Sequence, residues 1–157
     1  MITVQDFDNI VIHMPILAEL DSNDRKDFIT RCSRTFFPKC TMLRDKKNSI
    51  DAVMLIKKGL LRVYTTGSNS SELLLYYISD NTGLLLSAPR LCQSMAIDYK
   101  IRVIEDTDAY VIPDEYFSYL ERKYSKIRVM VDRALAVRFD YLLTVISSAI
   151  QDDLSTR

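Results

Sequence analysis

Residues 101–123 read IRVIEDTDAYVIPDEYFSYLERK, and within them a strand pattern gives way to a helical one. Up to Ile112 the segment consists of short apolar runs separated by polar residues, which is typical of strands. Pro113 ends that region, and Asp114 is placed to cap a short helix from Glu115 to Lys123. The boundary at Pro113 therefore predicts a β-rich body followed by helices.

The strand pattern extends upstream over residues 33–113. Residues 57–59, Lys-Lys-Gly, predict a tight connection between two strands, and residues 67–70 predict a second turn. The run Leu73–Ile78 has no polar break, which predicts a central strand buried on both sides. Regularly spaced short strands of this kind indicate a sandwich or a barrel. The predicted strands are Thr35–Phe37, Thr41–Leu43, Ala52–Ile56, Leu60–Thr65, Leu73–Ile78, Gly83–Leu86, Cys92–Ile97, Lys100–Glu105 and Ala109–Ile112.

Residues 1–32 have a helical pattern with one interruption at His13-Met14-Pro15. The interruption is expected because the residue before a proline is pushed out of the helical region. Either Asp21 or Ser22 can cap a following helix, from Asn23 to about Cys32.

A long helix is predicted from Ser125 to about Gln151, because the stretch contains neither proline nor glycine. Its apolar arc is wider than one surface helix needs to cover one core. The helix is therefore expected to contact both its own domain and a partner helix. Packing over its own barrel alone is the other interpretation. The residues predicted to dimerise are Ile127, Val131, Ala134, Leu135, Leu142, Val145 and Ala149.

Composition limits the class of protein. A length of 157 residues suits one domain with an appended helix, and 21 basic residues balance 21 acidic ones. A neutral chain of this kind is not expected to bind nucleic acid over a broad surface of its own. No run of 18 apolar residues exists, and the N-terminus lacks the pattern of a signal peptide, so the predicted location is the cytoplasm.

The chain carries few residues with reactive chemistry. Its three cysteines, Cys32, Cys40 and Cys92, are irregularly spaced, and His13 is its single histidine. This pattern predicts reduced thiols, no disulfide framework, no metal site and no cofactor, with a redox-sensing role for Cys40 as the alternative. No constellation for catalysis is recognisable, so we do not expect an enzyme, and Asp106 and Asp108 are interpreted as solvated turn residues. One histidine also argues against a metal-binding cupin barrel.

The predicted order of elements resembles the cyclic-nucleotide-binding fold, a double-stranded β-helix or jelly roll, as used by the Crp/Fnr transcription regulators. Residues 36–63, from Phe-Phe-Pro-Lys through Lys58-Gly59 to Val63, resemble the opening of its β-roll. Residues 71–77, SELLLYY, resemble the strand that leads to its effector pocket, and residues 101–113 resemble the strand pair that closes the roll. Residues 125–152 resemble its dimerisation helix.

The resemblance implies a division of the chain and a function. Residues 1–123 would form an effector-sensing roll, residues 124–152 a dimerisation helix, and residues 153–157 the start of a hinge. The implied function is the sensing and dimerising region of a bacterial regulator that binds DNA only through a helix-turn-helix domain absent from this chain. The alternative is a stand-alone scaffold or partner-binding module of the same fold.

The resemblance is nearest to two subgroups with non-nucleotide effectors, the halophenol-sensing and the glutathione-sensing regulators. Cyclic-nucleotide binders of this fold use a Gly-Glu pair and an arginine followed by a hydroxyl residue. Here Leu84 follows Gly83, while Ile97 and Asp98 fall at the arginine and hydroxyl positions. An aspartate there would repel a phosphate, so a cyclic nucleotide is not expected unless Arg90, in the same loop, takes the arginine's place.

The pocket implied by the resemblance is apolar and aromatic. Arg138 aligns with the lysine that the halophenol sensors use to hold a phenolate, but Leu85-Leu86 replaces their Gly-Lys pair, so their exact ligand is not implied. A guanidinium on this half-apolar face needs a partner. The partner is either a carboxylate (Glu105, Asp140 or Asp132 of the partner subunit) or a small organic anion that bridges roll and helix. The predicted effector-binding residues are Leu74, Tyr76, Gly83, Leu85, Ser87, Tyr99 and Arg138.

Overall fold

The computed structural model describes residues 1–45, 52–67, 70–80, 84–85 and 98–155. The side chains of Leu84, Leu85, Ala149, Ile150 and residues 152–155 are not among those described.

Three short helical segments open the chain: α1 (Val4–His13), a 3₁₀ helix (Pro15–Glu19) and α2 (Ser22–Arg31). The predicted interruption at residues 13–15 is confirmed. Asp21 is the cap of α2, since its carboxylate accepts hydrogen bonds from the backbone N–H groups of the second and third residues that follow it. Both features follow from local chemistry, which is why the sequence predicts them.

Within the described residues, the body is a six-stranded antiparallel sheet. Four strands follow the order β1-β6-β3-β4, while β2 pairs with β6 and β5 pairs with β3. This architecture confirms the predicted fold class, and the predicted strand at residues 92–97 lies outside the described residues. The strands are β1 (Ser33–Phe37), β2 (Met42–Arg44), β3 (Ala52–Thr66), β4 (Glu72–Ser79), β5 (Leu84–Leu85) and β6 (Tyr99–Pro113).

Strands β3 and β6 are each continuous over 15 residues. The turn predicted at residues 57–59 is therefore wrong, and so is the assignment of Asp106 and Asp108 to a turn. The pairing of β3 with β6 shifts register repeatedly between Ile56 and Leu61, so the long ribbon bends at bulges instead of ending. Asp108 is consequently held within β6, where the guanidinium of Arg34 on β1 donates to its carboxylate at 3.0 Å.

Gly59 of β3 lies close to strand β6. Its φ of +124° suits glycine, and an added Cβ would lie 2.3 Å from Oγ1 and 2.7 Å from Cα of Thr107 on β6. A glycine read as a turn signal is therefore a site of close strand contact.

Strand β4 is not the doubly buried central strand that its apolar sequence predicts. Among the described residues it pairs with β3 alone, and Leu73 and Tyr77 are 53% and 47% exposed. Of its residues only Ile78 is buried. An apolar sequence indicates that a strand packs against other apolar residues, but it does not show which strands pair with that strand.

Two apolar clusters of described residues form the core. The first joins the N-terminal helices, one face of the sheet and the C-terminal helices. Within it, Phe7 packs edge-on against Phe28, with 5.4 Å between the centres of the two rings. The second, which we call the roll interior, consists of Leu43, Met54, Ile56, Leu61, Val63, Ile78, Tyr99, Ile101, Val103 and Ala109.

Two helices end the chain, α3 (Asp114–Lys123) and α4 (Ser125–Ser155). The predicted cap at Asp114 is wrong, because the residue lies inside the helix and Pro113 precedes it without a side-chain cap. The long α4 is confirmed; its 31 residues span about 46 Å. No helix among the described residues is long and apolar enough to cross a membrane.

Candidate functional site

Two tyrosines of the predicted pocket project from the same face of the sheet. Strand β3 lies between β4 and β6, with Val63 opposite Tyr76 and Thr65 opposite Tyr99. Val63 and Thr65 are two residues apart on β3, so they share a face of the sheet. Their partners Tyr76 and Tyr99 therefore both face the roll interior. Tyr99 is buried within the roll interior, and Tyr76 is partly buried and packs against the roll interior.

Arg138 joins the long helix to this face. Its guanidinium carbon lies 5.2 Å from the centre of the Tyr76 ring, which is cation–π distance. Tyr76 belongs to β4 and Arg138 to α4, and both are half-buried. The structure therefore brings together the two residues that the sequence analysis placed at the junction of roll and helix.

Leu74 lies on the other side of β4 from Tyr76. The register shifts between Val63 and Tyr64, so that Tyr64 lies opposite Leu74 and Leu75 is the additional residue. A bulge breaks the alternation of side chains, and here Leu75 packs with Tyr76 against the roll interior. The wall that simple alternation assigned to Leu74 is therefore provided by Leu75.

The remaining predicted wall residues lie at or beyond the limits of the described structure. Gly83 and Ser87 are outside the described residues. The backbone of Leu85 pairs with Met54 of β3, which puts β5 beside the roll interior, but its side chain is not described.

Arg44 is a cation at this face that the sequence analysis did not single out. Its guanidinium carbon lies 4.3 Å from the centre of the Tyr99 ring, closer than the guanidinium of Arg138 lies to Tyr76. Residue Arg44 ends the three-residue strand β2, and its inward direction depends on a bulge that no local sequence pattern indicates.

A buried carboxylate fixes the beginning of α4. Asp24 of α2 is 3% exposed, and it accepts hydrogen bonds from Lys123 Nζ at 2.7 Å, Tyr124 Oη at 2.6 Å and Tyr119 Oη at 3.1 Å. Burial alone would raise the pKa of the Asp24 carboxyl, but these three hydrogen bonds together hold its pKa below the ordinary value. Because α4 begins at Ser125, the cluster anchors the helix directly before its first residue.

The predicted dimerisation residues fall into two groups. Ile127 and Val131 are buried in the chain's own core, so they leave no exposed surface for a partner. Ala134, Leu135, Leu142 and Val145 are half-buried, and the side chain of Ala149 is not described. Beyond Val131, no described side chain of α4 is fully buried, yet large apolar side chains are exposed there: Val137, Phe139, Tyr141, Leu143 and Ile146.

The cysteines differ in environment. Burial raises the pKa of the Cys32 thiol to about 12, which makes it a poor nucleophile. Cys40 is exposed and adopts a φ of +70°. Cys92 lies outside the described residues, and the redox role of Cys40 stays a prediction.

A separate cleft of about 370 Å³ lies between α2 and α3, outside the roll. Its two arginines, Arg31 and Arg122, are balanced by Asp27 and Glu115, so its charge selects no ligand class. Within the described part of the chain, no group of three or more histidine, cysteine or acidic side chains is placed to hold a metal ion.

Comparison with known proteins identifies the fold through structure alone. No family model and no curated protein matches the sequence. A protein described as a Crp/Fnr-family regulator from Eubacterium rectale aligns with a TM-score of 0.75 at 23% identity, covering 85% of this chain and 62% of that one. CooA from Carboxydothermus hydrogenoformans aligns with a TM-score of 0.63 at 18% identity, over 86% of this chain and 84% of its own.

CprK, solved in complex with OCPA, aligns with a TM-score of 0.59 at 14% identity, over 78% of this chain and 57% of its own. This chain therefore spans 62% of the Eubacterium rectale protein and 57% of CprK. At these identities the likeness shows the fold alone, which this chain shares with part of these Crp/Fnr-type structures. CprK has also been solved in complex with o-chlorophenolacetic acid, whereas the Xanthomonas campestris regulator CLP is described as responsive to c-di-GMP.

Proposed function

We propose that this chain is the effector-sensing and dimerising region of a bacterial Crp/Fnr-type transcription regulator, and that its effector is a small organic anion. The observation that carries the proposal is the contact of Arg138 on α4 with Tyr76 on β4. Binding to DNA would belong to a helix-turn-helix domain outside these 157 residues.

The contact supports sensing because it lies where the two moving parts of such a regulator meet. A carboxylate or phenolate offers a guanidinium two acceptor oxygens in the geometry that it prefers. A ligand held by both Arg138 and Tyr76 would bind more tightly to one arrangement of α4 against the roll than to another. Binding would then shift the population of helix arrangements by that difference in affinity.

An organic anion fits the chain better than a cyclic nucleotide does. Leu84 follows Gly83 where a ribose-binding glutamate is needed, and Asp98, at the hydroxyl position, carries the wrong charge for a phosphate. The described wall is aromatic and apolar, with Tyr76, Tyr99 and Leu75 beside the roll interior. Such a wall suits the carbon skeleton of an organic acid.

Titration calorimetry with o-chlorophenolacetate, phenylacetate, cyclic AMP and cyclic GMP tests the proposal. We expect an aromatic acid to bind, and Arg138→Gln to weaken that binding at least tenfold, about 1.4 kcal/mol. Arg133→Gln is the matched control, because Arg133 is exposed on the same helix. Tight binding of a cyclic nucleotide, or an unchanged affinity in the Arg138 variant, would contradict the proposal.

A further inference from the structure

We propose that Arg44 is a second anion-binding residue of this site, and that the effector is a small organic acid with two anionic groups. This inference rests on the proposed function and deepens it.

The direction of Arg44 follows from the register of β2. Met42 lies opposite Arg102 and Arg44 opposite Ile101, so Leu43 is an additional residue between them. A bulge of this kind turns two successive side chains toward one face. Leu43 is buried in the roll interior, and Ile101 belongs to the same cluster. Arg44 therefore points inward with them, where regular alternation would have separated it from Leu43.

The surroundings of Arg44 leave it suited to an additional acceptor. Its guanidinium is stacked on Tyr99, and its Nε atom is buried and donates no hydrogen bond to any described residue. A buried donor without an acceptor costs about 1–3 kcal/mol, which an anionic ligand oxygen would recover. A ring face attracts a cation but supplies no hydrogen-bond acceptor in the plane of the guanidinium, so the stack on Tyr99 does not satisfy the Nε donor.

Two guanidinium groups thus lie over two tyrosines of one sheet face. Tyr76 and Tyr99 are on strands separated by β3 and two residues apart in register along it, which puts their Cα atoms roughly 12 Å apart. Arg138 covers the first ring and Arg44 the second. A ligand with a single anionic group would neutralise one of these cations, whereas a dianion of short chain length would engage both. The geometry points to a dicarboxylate or a comparable diacid.

The test compares each dicarboxylate from succinate to suberate with its monomethyl ester, which has nearly the same length and one charge fewer. Affinities are measured by titration calorimetry on the wild type, Arg44→Gln and Arg102→Gln. Arg102 is the matched control, because it lies between the inward-facing Ile101 and Val103 and so faces the other side of the sheet. Circular dichroism and melting temperature establish that each variant is folded.

We expect at least one dicarboxylate to bind the wild type tenfold or more tightly than its monoester. Arg44→Gln should abolish that ratio while changing the affinity for the monoester less than twofold, and Arg102→Gln should retain the ratio. The inference is overturned if no dicarboxylate is preferred over its ester in the wild type, a measurement that needs no variant. A ratio that persists in Arg44→Gln also overturns it.

Failure of this inference is distinguishable from failure of the proposed function. If monoanions bind in an Arg138-dependent way while Arg44→Gln has no effect, the sensing proposal stands and only the second anion site is lost. If no organic acid binds the wild type, both are overturned.

Discussion

At the scale of single residues, Asp24 makes a buried polar contact between the N-terminal and the C-terminal helices. The carboxylate is buried, and all three of its side-chain donors come from residues 119–124, at the end of α3 and directly before α4. We expect Asp24→Asn to lower the free energy of unfolding by about 2 kcal/mol, because it removes the charge that these donors satisfy. The loss stays moderate because the side chain of Lys123 is 40% exposed and thus partly screened.

Chemical denaturation measures this loss, with Asp27→Asn as the control on the same helix. Asp27 pairs with Arg31 at 3.9 Å, and both side chains are 58% exposed, so its substitution should change stability by less than about 0.5 kcal/mol. Equal effects of the two substitutions would contradict the assignment of a special role to Asp24.

The same residue predicts a dependence of stability on pH. The folded-state pKa of Asp24 lies below its value in the unfolded chain, so the stability it contributes is fully present above the unfolded pKa. That contribution is lost as the pH falls through the folded pKa. The stability gap between the wild type and Asp24→Asn should therefore be constant near neutral pH and narrow in acid below about pH 4. A stability difference between the two proteins that widens in acid would contradict a lowered pKa of Asp24 in the folded state.

The sequence predicts the contacts of such residues only where the interacting residues are close together along the chain. The placement of Asp21 as a cap was predictable, because the backbone N–H groups that donate to its carboxylate in the cap lie within three residues of it. The burial of Asp24 was not, because its partners are about 100 residues away. Arg138 was found only through resemblance to a family. Arg44 was missed because its direction depends on a bulge in a partner strand's register.

At the scale of elements, the bend of the β3–β6 ribbon depends on Gly59. We expect Gly59→Ala to destabilise the fold by about 2–4 kcal/mol, because the new Cβ would collide with the backbone of Thr107 at an unfavourable φ. Gly67→Ala is the control, since its nearest neighbour is the Ser71 hydroxyl at 3.2 Å and its effect should stay within about 1 kcal/mol. Thermal or urea unfolding compares the two, and a Gly59→Ala protein as stable as Gly67→Ala would show that the ribbon can relax.

Elements were predictable where their periodicity is local. The interruption at residues 13–15, the change of pattern at Pro113 and the beginning of α4 at Ser125 are all confirmed. The predicted turn at residues 57–59 and the break in β6 were wrong because polar residues in a jelly-roll strand also occur where it bends. Distinguishing a bend from a turn requires the pairing partner, which the sequence of one strand does not contain.

At the scale of the whole molecule, the first turns of α4 are buried in the core, but its later turns are largely exposed. Its first two turns are anchored by Ile127 and Val131 in the core, and Arg138 contacts the roll. Farther along, Leu142 and Val145 are half-buried while Ile146 is 54% exposed. A helix gains most of its stability from packing, so this apolar surface is expected to be covered. The proposed homodimer would cover it with a second copy of α4.

We therefore expect the wild type to sediment as a dimer at tens of micromolar, and Ile146→Asp to weaken the dimer at least tenfold. A charge placed beside Leu142 would have to be desolvated between two helices, which costs more than the lost apolar contact alone. Ser147→Asp is the matched control, because it adds the same charge one residue farther along, about 100° around the helix from Ile146 and pointing away from Leu142 and Val145. A wild type that remains monomeric, or a Ser147→Asp protein that dissociates as readily as Ile146→Asp, would contradict this interface. Sedimentation velocity over a range of concentrations separates these outcomes, and an unchanged melting temperature at low concentration would show that each monomer is intact.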